Sequence, residues 1–236
     1  MLYTAQNARD NIRNKDGKRV FYLGKGDILS NDAKDFLTRE RIEILPAEKA
    51  RPERYRLLGG GYMEEKPENM THLSGDILVP KTHPRIVLRG MVDTLEAELL
   101  LCCSAATGEI RKGLEEALEF TRQLLRHEVL DEPVEELDLG GLTEQELRQR
   151  SHRPQDYYGQ SHFMPSSADS NLLLQINKAR SLARQTELAA VAAFPEGRTD
   201  LLQAYNRLSS FLYLLMIQLK KTQNEKPSPG GKVAER

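Results

Sequence analysis

LLQAYNRLSSFLYLLMIQLK, residues 201–220, joins a run suited to a buried helix with polar groups that such a helix does not need. Its second half is almost wholly apolar, whereas Asn206, Arg207, Ser209 and Ser210 stand at the head of the same run. At about 100° per residue, Asn206, Ser209 or Ser210, and Tyr213 fall along one side that leads into Ile217. An amide on that seam needs a partner, because a buried polar group without a hydrogen bond is costly. Capping or first-turn duty would also account for Asn206 by itself.

The segment before it repeats the theme. Residues 170–193 are predicted as a helix stopped by Phe194-Pro195-Glu196-Gly197, with an apolar stripe through Leu172, Ile176, Ala179, Ala183 and Ala190. Glu187 falls inside that arc and Arg180 at its edge. Arg184, three residues before Glu187, is placed to pair with it. The small alanines beside these charges leave room for something bulky and anionic. From Pro84, which suits a first helical turn, another helix places Arg89, Asp93 and Ala97 on one face with Leu100 beyond. A carboxylate within an apolar stripe calls for a bidentate arginine. These amide, hydroxyl, carboxylate and guanidinium groups can hold a polyphosphate and a sugar, or can simply join helices.

Working further outward, EIRKGLEEALEFTRQLLRHEVL reads as a helix broken by Asp131-Glu132-Pro133, and Thr143 with Glu146 forms a capping box for a shorter one. RPQDYYGQSHFMPSSADS reads as an aromatic, polar loop. Four long helices plus a short one predict a mainly all-α protein, a helical bundle over 71–221. Residues 19–46 predict a small N-terminal α/β unit: strands at RVFYLG and IEIL around a helix capped by Ser30 or Asn31. Residues 1–18 read as a flexible start, 47–70 as a linker hinged at Gly59-Gly60-Gly61, and 222–236 as a disordered tail. Before the helix at Pro84, the loop THLSGDILVPKTHPRI presents Thr71, Ser74, Gly75, Lys81 and Thr82, the makings of a phosphate nest at a helix start.

Composition narrows the classes. Apolar residues are 39% and charged residues 29% of the 236, and the net charge of -1 gives no global argument for nucleic acid or an anionic membrane. The polar start predicts no signal peptide, and no apolar run approaches the ~18 residues of a membrane span, so a cytoplasmic protein is expected. The two cysteines, Cys102 and Cys103, are adjacent and lack any CxxC spacing, so both read as small core residues. His72 and His83 lack a third metal-ligand partner at a familiar spacing.

Taken in order, THLSGDILVPKTHPRIVLRGMVDTLEAEL, HFMPSS, NKARSLARQTELAA and LLQAYNRLSSFLYLLMI resemble the ethanolamine-utilisation type of ATP:corrinoid adenosyltransferase over about 20–219, and more distantly the propanediol-utilisation type. The resemblance implies a helical bundle that assembles as a homo-oligomer, trimer or dimer, with sites between subunits. It implies transfer of the 5′-deoxyadenosyl group of ATP to the cobalt of cob(I)alamin, giving adenosylcobalamin and triphosphate. By the same resemblance Arg180, Arg184 and Glu187 match the arginine motif that serves the ATP phosphates and an intersubunit pair. Asp93 matches the paired aspartate, and Asn206 an asparagine contacting ATP. Thr71, Ser74, Gly75, Lys81 and Thr82 stand where a loop wraps the triphosphate, with Arg89 assigned to the same binding set. Phe163 lies near the phenylalanine that displaces the lower axial base of the corrinoid, and Met164, Tyr157 and Tyr158 are further candidates for that apolar wall.

Two departures from the family pattern stand out. Gln185 and Leu188 replace arginine-motif positions of the propanediol type. Members of the ethanolamine type also carry a histidine and a Cys-Cys-x-x-Cys metal loop just upstream of THLS, where this chain reads RYRLLGGGYMEEKPEN. No structural metal is therefore expected, only Mg²⁺ brought with ATP. A corrinoid reductase or microcompartment proteins are the implied partners. A non-catalytic corrinoid carrier and a structural helical oligomer are the alternatives.

Overall fold

The computed structural model describes residues 2–15, 18–47, 55–135 and 138–225. The chain divides into two compact units, Met1–Glu68 with Gly75–Leu78, and Asn69–Ser74 with Val79–Arg236. The architecture is a mainly α-helical bundle with a small mixed α/β region at the N-terminus.

The first unit holds β1 (Leu2–Tyr3), α1 (Ala5–Asp10), β2 (Ile12–Lys15), β3 (Lys18–Leu23), β4 (Ile28–Leu29), α2 (Asn31–Arg39), β5 (Glu43–Pro46), β6 (Tyr55–Leu57) and β7 (Tyr62–Met63). β3 is the central strand, antiparallel to β2 and parallel to β5, with Phe21 opposite both Ile12 and Ile44. Ser30, not Asn31, caps α2: its hydroxyl accepts from the Ala33 N–H. That sets Ala33, Phe36 and Leu37 one turn apart on the face that meets Phe21 and Ile42.

Two expectations change in this unit. The start of the chain is not loose, because β1 pairs in parallel with β4 and Asn7 closes a capping box with Thr4. The triple glycine is not a hinge but the turn of the β6–β7 hairpin. Gly60 and Gly61 both take positive φ, +96° and +88°, a conformation that side chains with a Cβ resist. Arg56 on β6 fastens the hairpin by a bidentate pair with Asp76 at 3.0–3.1 Å. Of the expected linker, residues 48–54 lie outside the described residues.

The second unit is the bundle: α3 (Pro84–Ala105), α4 (Gly108–Leu130), α5 (Glu144–His152), α6 (Pro154–Tyr158), α7 (Asn171–Ala193) and α8 (Thr199–Glu225). α3 and α8 each pack against both α4 and α7, so the four long helices close a ring around one core. Leu88, Val92, Leu95, Leu99 and Cys102 form the inner stripe of α3, at alternating steps of four and three. The matching stripe on α7 is Leu173, Ile176, Ala179, Ala183 and Ala190, whose small residues let two neighbours approach. Gly113 does the same for α4 against α8, since a Cβ there would sit 2.6 Å from Leu215 Cδ2. Cys102 and Cys103 are buried in this core as free thiols, and burial, then the Glu98 charge, push Cys102 up to about 12.

The phosphate-nest segment is not an open loop: β8 (Met70–Ser74) and β9 (Ile77–Pro80) occupy it, with Gly75 at φ +55° between them. The aromatic loop carries an unexpected turn of helix, α6, begun by Pro154 and ended by Gly159 in the left-handed region. α8 continues four residues beyond the expected end, to Glu225, and the remaining tail, 226–236, lies outside the described residues. Among the described residues no helix is long and apolar enough to cross a membrane.

Candidate functional site

α7 and α8 run antiparallel, and the contacts between them fix the register. Arg180 stacks its guanidinium over the Tyr213 ring at 6.0 Å, and two turns farther along α7 Glu187 meets Asn206, two turns earlier on α8. A polar row thus follows one edge of a seam whose centre is Ala179, Ala183 and Ala190 against apolar α8 residues.

The amide at the head of α8 is not a cap, since α8 begins seven residues earlier at Thr199. Asn206 Nδ2 donates to Glu187 Oε1 at 3.0 Å, and its Oδ1 accepts from Arg207 Nη1 at 3.2 Å. Arg207 in turn holds Glu144 Oε1 through Nε and Nη2 at 3.1 and 2.9 Å. The chain Glu187–Asn206–Arg207–Glu144 therefore ties α7, α8 and α5 together. Ser209 and Ser210 both donate back to the Asn206 carbonyl.

The expected Arg184–Glu187 pair does not form. Glu187 takes its hydrogen bond from Asn206, and Arg184 lies exposed one turn after Arg180. Arg180 donates from Nε and Nη2 to the Asn177 amide oxygen, 3.2 and 3.0 Å, and its ion-pair partner is no carboxylate among the described residues. Burial, then the neighbouring Arg184 charge, push the Arg180 pKa down. Two guanidiniums one turn apart, with an amide and a ring as their company, make an anion-seeking edge.

The inner face of α3 is not the one its sequence predicts. Asp93 is exposed, on an outer face with Ala97 and Leu100, while the inner stripe passes through Val92 and Leu95 instead. The one-residue offset arises because the helix turns its largest aliphatic side chains inward, and that rotates Asp93 out. Arg89 bonds Glu128, not Asp93: Nε to Oε2 is 2.7 Å, while Nη1 reaches the Leu73 carbonyl at 2.9 Å and so ties β8 to α3. Arg85 completes the set on the fully buried Glu128, with Nε at 2.5 Å from Oε1 and Nη2 at 2.7 Å from its backbone oxygen. Sequence reading missed Glu128, because nothing in α4 alone marks it as the partner of residues some forty positions earlier. His83 is the N-cap of α3, its Nδ1 accepting from the Arg85 N–H at 3.3 Å. Burial, then Arg85 and Arg89, lower its pKa, which suits that acceptor role.

Thr71 and Ser74 lie on β8, Gly75 at the turn, and Lys81 and Thr82 between β9 and α3. Arg85 sits over the Phe194 ring at 5.4 Å, so α3 begins beside the C-terminal end of α7. From there to Arg184 is about 15 Å along the helix axis.

At the other end of the row lies Phe163. Its N–H donates to the Tyr213 hydroxyl at 3.2 Å, and that hydroxyl lies 3.3 Å from the Phe163 carbonyl. The two rings stack at 6.2 Å, and His162 stacks on Tyr213 from its own side at 5.7 Å. Lys220 Nζ stands 5.7 Å from the Phe163 ring centroid and pairs with Asp169 at 2.5 Å. Met164, next in sequence, is 88% exposed. A cleft of about 520 Å³ opens nearby, lined by Arg148, His152, Arg153 and Tyr157 among others, and His162 Nε2 meets the His152 carbonyl at 3.3 Å.

Among known proteins, the corrinoid adenosyltransferase EutT of Salmonella typhimurium strain LT2 is 32% identical over 165 residues, 65% of this chain and 59% of that protein. EutT of Escherichia coli K12 is 31% identical over the same span. The chain thus covers about 59% of the length of the curated relatives it matches. An arginine-to-lysine variant of the PduO-type adenosyltransferase from Lactobacillus reuteri, solved with ATP, superposes with a TM-score of 0.51 at 16% identity, over 66% of this chain and 92% of that one. A phenylalanine-to-alanine variant of that type, solved with cobalamin and ATP, gives 0.50 at 15% identity, over 72% and 90%. These likenesses show a shared fold. The sequence pattern of the family described as cobalamin adenosyltransferase matches residues 61–219, which takes in all of α3 to α7 and most of α8. With more than half of its length matched in this way, the chain belongs to the cobalamin adenosyltransferase family.

Proposed function

We propose that the chain transfers the 5′-deoxyadenosyl group of ATP to the cobalt of cob(I)alamin, giving adenosylcobalamin and triphosphate. The observation that carries this reading is the Arg180–Arg184 edge: two guanidiniums, one of them half-buried, set beside an alanine seam without a carboxylate between them. A triphosphate leaving group is an anion of the charge and size that such an edge stabilises. The cobalt lone pair forms the new bond to C5′ as the C5′–O bond breaks, and that electron pair leaves on the triphosphate. The nucleophile carries no proton, so the chain needs no general base. Its residues hold the two substrates in line and neutralise the leaving charge, the role assigned to Arg180, Arg184 and Lys81.

Mg²⁺ belongs to this reading only as the ion that ATP carries. The described residues contain no group of three His, Cys, Asp or Glu side chains able to hold a metal, and no step here runs through it. Phe163 and Met164 supply the apolar wall below the corrin ring. Excluding the lower axial base there makes the cobalt easier to reduce.

The identity of 31–32% to the EutT relatives supports the ethanolamine-utilisation type. The β6–β7 hairpin, pinned by Arg56 and Asp76, supports a form of it in which an exposed glycine turn replaces the cysteine loop. Exposed Leu100 and Leu101 on α3 and exposed Leu188 and Val191 on α7 support a homo-oligomer, with Asp93 on the same outer face of α3 as Leu100. The offset of about 15 Å along α7 between the start of α3 and Arg184 supports a site completed by Lys81 and Thr82 of a second copy.

The test supplies ATP, Mg²⁺ and cob(I)alamin and follows the adenosylcobalamin spectrum and released triphosphate. Both products are expected in equal amounts. Corrinoid binding without transfer would leave a carrier, and binding of neither substrate would leave a structural oligomer.

A further inference from the structure

We infer that Tyr213 is a positioning residue that couples the nucleotide end of the site to its corrinoid end, acting through its hydroxyl on the backbone of Phe163. The inference rests on the function proposed above and assigns a role to a side chain that this reading leaves unused.

Tyr213 is the only residue of α8 that meets both groups in question among the described residues. One part of its ring faces the Arg180 guanidinium, 6.0 Å from the centroid. Its hydroxyl meets the amide N–H and the carbonyl of Phe163 at 3.2 and 3.3 Å. A phenol both donates and accepts, so one hydroxyl can close both backbone groups of a single residue. That is a strong local constraint, because it fixes the peptide planes on both sides of the Phe163 Cα and hence the direction of its ring. The stacked rings hold the phenol in turn, and His162 Nδ1, 3.3 Å from the same oxygen, adds to this as the Nδ1–H tautomer, since the one phenol proton is given to the Phe163 carbonyl.

The rest of the loop is fastened to α8 at separate points. Lys220 pairs with Asp169, Gln223 donates to the Ser170 hydroxyl at 2.6 Å, and Asn224 donates to Gln160 at 3.2 Å. The loop therefore keeps its place on the bundle when the Tyr213 hydroxyl is removed, and what is lost is the local orientation of Phe163. Displacement of Arg180 by an arriving phosphate acts directly on the ring whose hydroxyl sets Phe163, so occupancy of one end biases the other.

The experiment compares wild type, Tyr213→Phe, Phe163→Ala and the double variant. Tyr213→Phe keeps the stacked ring and removes one oxygen. It is expected to lower kcat about tenfold, the equivalent of one or two such hydrogen bonds, with the urea midpoint little changed. The fraction of bound cob(II)alamin lacking its lower ligand, read from its absorbance and electron paramagnetic resonance, falls in parallel. In the protein without substrates, hydrogen exchange at the Phe163 amide speeds up. In the Phe163→Ala background the hydroxyl has nothing left to orient, so its removal costs no further activity. Additive losses in the double variant, an unchanged cob(II)alamin spectrum, or a drop in stability large enough to explain the lost activity would overturn the inference. A wild type that neither binds corrinoid nor transfers adenosyl would refute the proposed function and this inference with it, whereas an active wild type with an equally active Tyr213→Phe refutes the inference alone.

Discussion

Two pairs of arginines, each one helical turn apart, sit in the same bundle and meet opposite circumstances. Arg85 and Arg89 at the start of α3 converge on Glu128, a carboxylate with no exposed surface, and use its backbone oxygen and that of Leu73 as well. Arg180 and Arg184 in the middle of α7 share no acid: Arg180 leans on an amide oxygen and a phenol ring. The first pair shares that one buried carboxylate along with two backbone oxygens, and removing Glu128 leaves both guanidiniums without their acid. The second pair has no carboxylate partner among the described residues, the arrangement from which anion binding is proposed. Sequence spacing alone makes the two pairs look alike, and the partner is what separates them.

Removing each pair in turn separates their roles. Arg180→Ala and Arg184→Ala are expected to lower turnover by about a hundredfold or more, the scale of losing a donor to developing charge, with midpoints of urea unfolding close to wild type. Equal loss of activity and stability would return both to the structural class. Glu128→Gln should do the reverse, costing about 3–5 kcal/mol of stability for a broken buried pair, as read by denaturant unfolding. ATP affinity measured where that variant is still folded should stay near wild type.

A smaller effect is expected at the Phe163 end. Lys220, then the Ser166 N–H, hold the Asp169 carboxyl below the usual carboxylate range. Its folded pKa is lower than its unfolded one, so its contribution is complete above roughly pH 4 and is lost as pH falls through the lower folded value. Urea midpoints followed from pH 6 down to pH 2.5 should therefore fall in wild type by more than in Asp169→Asn. Identical slopes would remove Asp169 from the fastening of the loop.

Much of the bundle was legible because helical periodicity is a local property. The α7 stripe of Ile176, Ala179, Ala183 and Ala190 and the capping box of Thr143 and Glu146 follow from spacing, and both stand in the structure. The α/β unit was legible for the same reason, through the strands at 18–23 and 43–46 and the Ser30 cap. The short strands escaped. β1, β6 and β7 are two or three residues long, too short for alternation to show, and exist because β4, β9 and each other supply their hydrogen bonds. Asp93 misled because a helix face is ambiguous by about one residue until its neighbours settle the rotation.

The candidate site divides along the same line. Sequence reading found Arg180, Arg184, Glu187 and Asn206 as polar groups in apolar surroundings, and placed Tyr213 on the side of Asn206. It could not find that Glu187 and Asn206 satisfy each other, that Arg207 reaches Glu144, or that Tyr213 closes on Phe163.

Where helices form, which stripe of most of them is apolar and which side chains are out of keeping with it follow from the sequence, since each depends on residues three or four positions apart. Which of those charges meet an acid within the bundle, and which do not, follows from tertiary packing. A charge is matched across helices, by residues that are distant in the chain and become neighbours through packing alone.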